Sequence, residues 1–212
     1  MVAALTGADS GAAARQLGVV DADGGSAGFT GADCSAWAGG RQGPGYAIQG
    51  NILVGEQVVE AMEQAWLTGD PTATLARRLV DVLVAGDTAG GDRRGRQSAG
   101  VLVAGREPGP QGGGPDASWS CDLRVDDHRQ ATTELSRLLD LHELYFGRPD
   151  PATLLPLTGE LAIEVHHHLT SLGQPSLEVW AGVENYENRL VTGAIDPVVL
   201  AALRAAGRAP RH

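Results

Sequence analysis

An α+β domain followed by a small all-α module is the fold class that this 212-residue sequence predicts. Three observations carry that expectation. Trp119-Ser120-Cys121-Asp122-Leu123-Arg124-Val125-Asp126 alternates apolar and polar residues, the period of a half-exposed strand at or near a sheet edge. Leu75, Leu79, Val82 and Leu83 recur at helical spacing ahead of Ser98–Ala104, which reads as a buried strand. Composition changes at Asp127-His128-Arg129-Gln130, and beyond it every signal is helical. The division expected is 1–126 for the strand-and-helix domain and 130–206 for the helical module.

The elements follow in order. Residues up to Ala14 are alanine-rich and read as the end of a helix. Arg15 to Asp21 reads as a strand, Asp23-Gly24 as a hairpin turn and Ser26 to Thr30 as the return arm. A glycine-rich loop carrying Trp37 leads to a short strand at Tyr46–Asn51. Val54, Val58, Met62, Ala65 and Trp66 mark a helix face, and Asp70-Pro71 opens the next helix with a capping residue and a first-turn proline. Gly105 to Ser118, with Pro108, Pro110 and Pro115, reads as a mobile segment. In the second module Leu135, Leu138, Leu139, His142, Tyr145 and Phe146 make one stripe, stopped by Gly147 and Pro149. Thr158 caps a helix with Leu161, Val165, His168, Leu169 and Leu172 inward and Gly173 at its end. Leu177, Trp180 and Ala181 suggest a third, and Asp196-Pro197 starts a fourth through Val199, Leu200 and Leu203.

Totals exclude several classes of function. A formal net charge of -10 argues against nucleic acid and against an anionic lipid surface, because both need a basic face. All 16 basic residues are arginine, which removes every mechanism built on a lysine. Cys34 and Cys121 match no zinc or redox spacing; a disulfide or two buried thiols both stay open. His166-His167-His168 does not converge on one ion, since consecutive helical residues point about 100° apart, and neither a metal nor a cofactor is expected. Glu184 and Glu187 either form a solvated face, pair with Arg189 or contact an amino sugar. No apolar run spans a bilayer, and Met1–Gly7 lacks the marks of a signal peptide, so the expected location is the cytoplasm.

The candidate site is the loop Gly90-Gly91-Asp92-Arg93-Arg94-Gly95-Arg96-Gln97-Ser98-Ala99-Gly100. A polar loop entering a buried strand gathers hydrogen-bonding groups at a sheet mouth; a solvated, arginine-rich turn is the competing reading. Arg15–Asp21, Tyr46–Leu53 and Gly91–Ala99 together resemble the bacterial proteins grouped as domain of unknown function 1028, with Leu123–His128 fitting the end of that domain. Leu138–Phe146 and Gly182–Arg189 resemble the peptidoglycan-binding module often joined to it. The first resemblance implies an αββα sandwich of the N-terminal-nucleophile (Ntn) hydrolase kind, incomplete here. Relatives begin with a threonine-led strand ahead of the point matching Met1, so either the start is assigned too late or the chain is a remnant.

Such enzymes use a terminal Thr, Ser or Cys whose own amine is the base, and Met1 and Val2 supply neither hydroxyl nor thiol. What the resemblance implies for the remaining site is a set of roles. Asn51 offers an amide to an oxyanion, Asp92 holds the terminal ammonium, and Ser98 relays a proton. Arg93, Arg94 and Gln97 bind substrate, the arginines gripping a carboxylate with two hydrogen bonds. The alternative is that Asp92 and an arginine merely lock the loop. The function expected is a binding protein: a nucleophile-less Ntn-like domain joined to a module for peptidoglycan or an amino-sugar or peptide fragment. The alternative is an amide-bond hydrolase whose nucleophile lies upstream of Met1, with cell-wall association in that longer form. Self-association into a homo-oligomer stays open.

Overall fold

Glycine decides how the first strands meet. A computed structural model of the chain describes residues 1–35, 37–105 and 118–207 and divides into two units, Met1–Leu139 and Asp140–His212. The Pro- and Gly-rich stretch expected to be mobile lies outside the described residues but for its ends.

The first unit opens with α1 (Val2–Ala8), which buries none of its residues, and a 3₁₀ turn at Ala12–Ala14. β1 (Gln16–Val20) and β2 (Ser26–Thr30) form an antiparallel ribbon in the register Gln16↔Thr30 to Val20↔Ser26. Its turn is closed by Asp21, whose Oδ1 accepts the N–H groups of Asp23 and Gly25. A second ribbon joins β3 (Trp37–Gly43) to β4 (Tyr46–Leu53). Sequence expected a loop around Trp37, and the structure corrects it to a strand. Gly39, Gly40 and Gly43 lower the local strand signal, yet the two ribbons pack closely where they sit. The Gln16 side-chain amide donates to the carbonyl oxygens of Gly39 and Gly50, and Ser26 Oγ donates to that of Gly43. A Cβ at Gly28 would lie 2.5 Å from Gln42 Oε1. This close approach is tertiary and leaves no mark in a local window of sequence.

α2 (Gln57–Thr68) and α3 (Leu75–Thr88) cover the second ribbon and a third. Ile48, Leu53, Val58 and Val59 form the core beneath α2. α3 starts later than Asp70-Pro71 predicts. Asp70 Oδ1 instead accepts the N–H and hydroxyl of Thr72 in a turn of its own, and Thr74 caps α3 by accepting the Arg77 N–H at 3.1 Å. The third ribbon pairs β5 (Ala99–Gly105) with β6 (Ser118–Val125). Val101, Val103, Cys121 and Val125 pack with Ala76 and Val80 of α3 and with Ala131, Leu135 and Leu139 of α4 (Ala131–Phe146). Both cysteines are free thiols.

Every sheet among the described residues has two strands, so the fold is α+β with small ribbons rather than continuous layers. β4 and β5 each pair with one neighbour, and both border an apolar slot of about 470 Å³ against Met62, Trp66, Leu79 and Leu83.

In the second unit α5 (Gly159–Leu172), α6 (Leu177–Val183) and α7 (Pro197–Ala206) build a core from Val165, Leu169, Trp180, Ala181, Val199, Leu200 and Leu203. α5 ends on Gly173 at φ +71, a left-handed turn that suits glycine. β7 (Leu155–Pro156) and β8 (Ala194–Ile195) pair over two residues, too short for any periodic signal. Asp196 caps α7 by accepting the Val198 N–H and also takes Arg189 Nη1 at 2.8 Å. Glu184 and Glu187 are exposed, and Arg189 pairs with Asp196.

Candidate functional site

The loop between α3 and β5 is held by backbone before any side chain acts. Gly90 (φ +122) and Gly91 (φ +58) reverse the chain in a region other residues avoid. Val54 then donates to the Gly91 carbonyl and Arg93 donates to that of Ile52, tying the loop to the end of β4. Ile52 itself sits at φ +59, a strained setting for a β-branched residue. Its N–H donates to the Ser35 carbonyl, while Asn51 Oδ1 accepts the Ser35 N–H at 3.1 Å. Two chain segments therefore hold Ile52 in place on either side.

Two arginine–carboxylate pairs shape the loop further. Arg94 grips Asp92 with Nε–Oδ1 at 3.0 Å and Nη2–Oδ2 at 2.7 Å, and its backbone N–H adds a third bond to Oδ1 at 2.8 Å. Those hydrogen bonds hold the Asp92 carboxyl below the usual carboxylate range, against the opposing effect of its burial. The Arg94 guanidinium is pushed up in turn, chiefly by its hydrogen bond to Asp92. Asp87 occupies the last turn of α3, where the helix dipole disfavours an anion. Arg96 Nε donates to both its oxygens, at 2.6 and 2.8 Å, and Thr132 Oγ1 donates to Oδ2 at 2.7 Å.

Around these pairs lies a cleft of about 590 Å³. Asp92, Arg94, Gln97 and Ser98 line it with Gln49, Gly50, Leu53, Asp87, Arg96, Asp127 and Thr132. Asn51 and Arg93 do not line it. The Asn51 side-chain Oδ1 accepts the Ser35 N–H, and Arg93 is exposed, its backbone N–H donating to the Ile52 carbonyl. Among the described residues no carboxylate or histidine is hydrogen-bonded to Ser98, and no three potential ligands cluster about a metal position.

Arg96 lies in the loop that the sequence marks, while Asp87, Asp127, Thr132 and Ile52 are given no role by it. Asp87 carries the one signal that was available, an acidic residue at a helix C-terminus that needs a cation. Thr132 lies 45 residues away and gives none.

Comparison with known proteins divides the chain at nearly the same place. The family model described as "Family of unknown function (DUF1028)" matches residues 1–135, and one described as "Putative peptidoglycan binding domain" matches residues 145–203. A crystallised DUF1028 protein from Silicibacter pomeroyi is 28% identical, with a TM-score of 0.54 over 77% of this chain and 61% of its own. The chain thus spans less than two thirds of that relative. No curated protein matches it.

Proposed function

We infer that this chain, which belongs to the family of unknown function DUF1028, acts by binding rather than by turnover, with peptidoglycan or a fragment of it as ligand. One observation carries the reading: the Asp87 and Asp92 carboxylates are each already paired with an arginine. Asp92 stays ionised with both oxygens occupied, so it is a poor proton acceptor, and among the described residues no carboxylate or histidine is hydrogen-bonded to Ser98. Beside the two arginine pairs the cleft presents backbone groups, the Gln49 and Gln97 amides, the Ser98 hydroxyl and the Asp127 carboxylate, a hydrogen-bonding lining that suits an amino sugar or peptide amide. The match of residues 145–203 to a peptidoglycan-binding model supports the same class of partner. Retention of the full chain on purified cell-wall sacculi above an unrelated acidic protein is the expected result. Equal retention of the two removes the proposal.

A second reading, an Ntn-type amide hydrolase in a longer form, is favoured by the open slot that β4 and β5 border. In that reading an added strand lies along the slot within an αββα sandwich and brings a terminal Thr, Ser or Cys toward Asp92, Asn51 and Ser98. Codons upstream of Met1 that fail to encode such a start end this alternative.

A further inference from the structure

One aromatic pair in the second unit is held by side-chain hydrogen bonds from a short turn. Arg189, in the 3₁₀ turn Glu187–Arg189, donates Nε to the Leu144 carbonyl at 2.6 Å and Nη2 to the Glu143 carbonyl at 2.7 Å. Asn188 Nδ2 donates to the Tyr145 carbonyl at 3.1 Å. These three carbonyls belong to the last turn of α4, where intrahelical donors run out, so the turn serves as the helix's C-terminal cap. The clamp sets the Tyr145 and Tyr186 rings 6.3 Å apart with a 41° tilt. Behind them Trp180, only 3% exposed, stacks on Tyr186 at 5.9 Å and 26°. Tyr186 is therefore backed by the core, and both tyrosines are half-buried.

Polar groups flank the pair. Glu184, Asn185, Glu187 and Asn188 are all exposed. Asn185 takes φ +62, a left-handed conformation that asparagine tolerates, and Tyr186 N–H then returns to the Ala181 carbonyl at 2.7 Å. Phe146, 43% exposed, lies next to Tyr145 in the chain. A ring face with a hydroxyl at its rim matches a sugar ring, which presents an apolar C–H face and polar edges. The two carboxylates repel phosphate and other anions, which points to the uncharged glycan rather than an anionic wall polymer.

We propose that Tyr145 and Tyr186 form a stacking platform for the N-acetylated glycan strand of peptidoglycan, with Asn185, Glu184 and Glu187 accepting or donating hydrogen bonds at the sugar edges. This rests on the peptidoglycan-binding reading above. Burial pushes the Tyr186 phenol up, so its hydroxyl stays a neutral donor through the physiological range.

The test uses the full chain, purified sacculi stripped of anionic polymers, and the tetramer of N-acetylglucosamine as a soluble probe. Tyr145→Leu and Tyr186→Leu keep apolar bulk without the ring and are expected to lower sacculus affinity about tenfold, with Tyr145→Phe retaining it. The tetramer is expected to shift the Tyr145 and Tyr186 ring resonances of the unmodified chain, which keeps the proposal falsifiable where a leucine variant unfolds. Unmodified chain that ignores sacculi overturns the peptidoglycan reading itself. Chain that binds sacculi while folded leucine variants bind equally, or whose tyrosine resonances ignore the tetramer, overturns the platform alone. Binding that vanishes once anionic polymers are stripped also overturns it.

Discussion

At the scale of single residues the structure is governed by arginine. With no lysine available, every buried or half-buried cation is a planar fork able to meet several acceptors at once. Arg189 shows the consequence, joining Asp196 and two α4 carbonyls while 11% exposed, with Asp196 at 4%. Arg189→Ala leaves the Asp196 charge buried without its partner, and urea denaturation is expected to show a loss of about 3–5 kcal/mol. Arg189→Lys should recover only part of that, because an ammonium does not span all three acceptors. Asp92 gives a prediction in pH. Its folded carboxyl is held below the ordinary value, so the stabilisation from the Arg94 pair is present above the unfolded carboxylate range and lost as pH falls through the lowered folded value. NMR titration of the Asp92 carboxyl should place its midpoint below that of an ordinary aspartate, and Arg94→Ala should move it upward. An unmoved midpoint would mean the pair does not form in solution.

At the scale of elements, close approach of backbone is what the small ribbons depend on. Gly31 ends β2 against the 3₁₀ turn, and a Cβ there would stand 2.2 Å from the Ala13 carbonyl oxygen. Gly31→Ala must push main chain against main chain, and thermal or urea unfolding should report a cost of about 1–3 kcal/mol. The same physics marks how far the sequence is legible. Helices with a strong apolar stripe and a local stop signal could be read directly, as Val165, Leu169 and Gly173 of α5 and Asp196, Val199 and Leu203 of α7 illustrate. β3 could not, since its glycines answer to a neighbouring ribbon and not to local propensity. Asp70-Pro71 points to a start for α3 that is too early, because Asp70 closes a turn of its own on Thr72 and Thr74 caps the helix. In the candidate site the loop was visible as a polar run between helix and strand. Its partners Asp87 and Thr132 were not, because their pairing spans 45 residues. The positive φ of Ile52 has no sequence signature at all.

At the scale of the whole molecule the two units, Met1–Leu139 and Asp140–His212, each carry their own buried apolar core. Residues 140–206 are accordingly expected to fold when expressed alone as a helical bundle, whereas Ala131, Leu135 and Leu139 pack in the first unit's core; circular dichroism and a cooperative melt are the check. No helix among the described residues is long and apolar enough to cross a membrane. Binding to cell-wall material is the reading we propose, from the Asp87–Arg96 and Asp92–Arg94 pairs of the first unit and from the peptidoglycan-binding model that residues 145–203 match. The most direct measurement incubates the pure full chain with sacculi and reads, from the same tube, the protein in the pellet and the amines newly released to the supernatant. The expected outcome is protein in the pellet with no amine above the buffer control. Amines that accumulate with time, or protein left wholly in the supernatant, would contradict it.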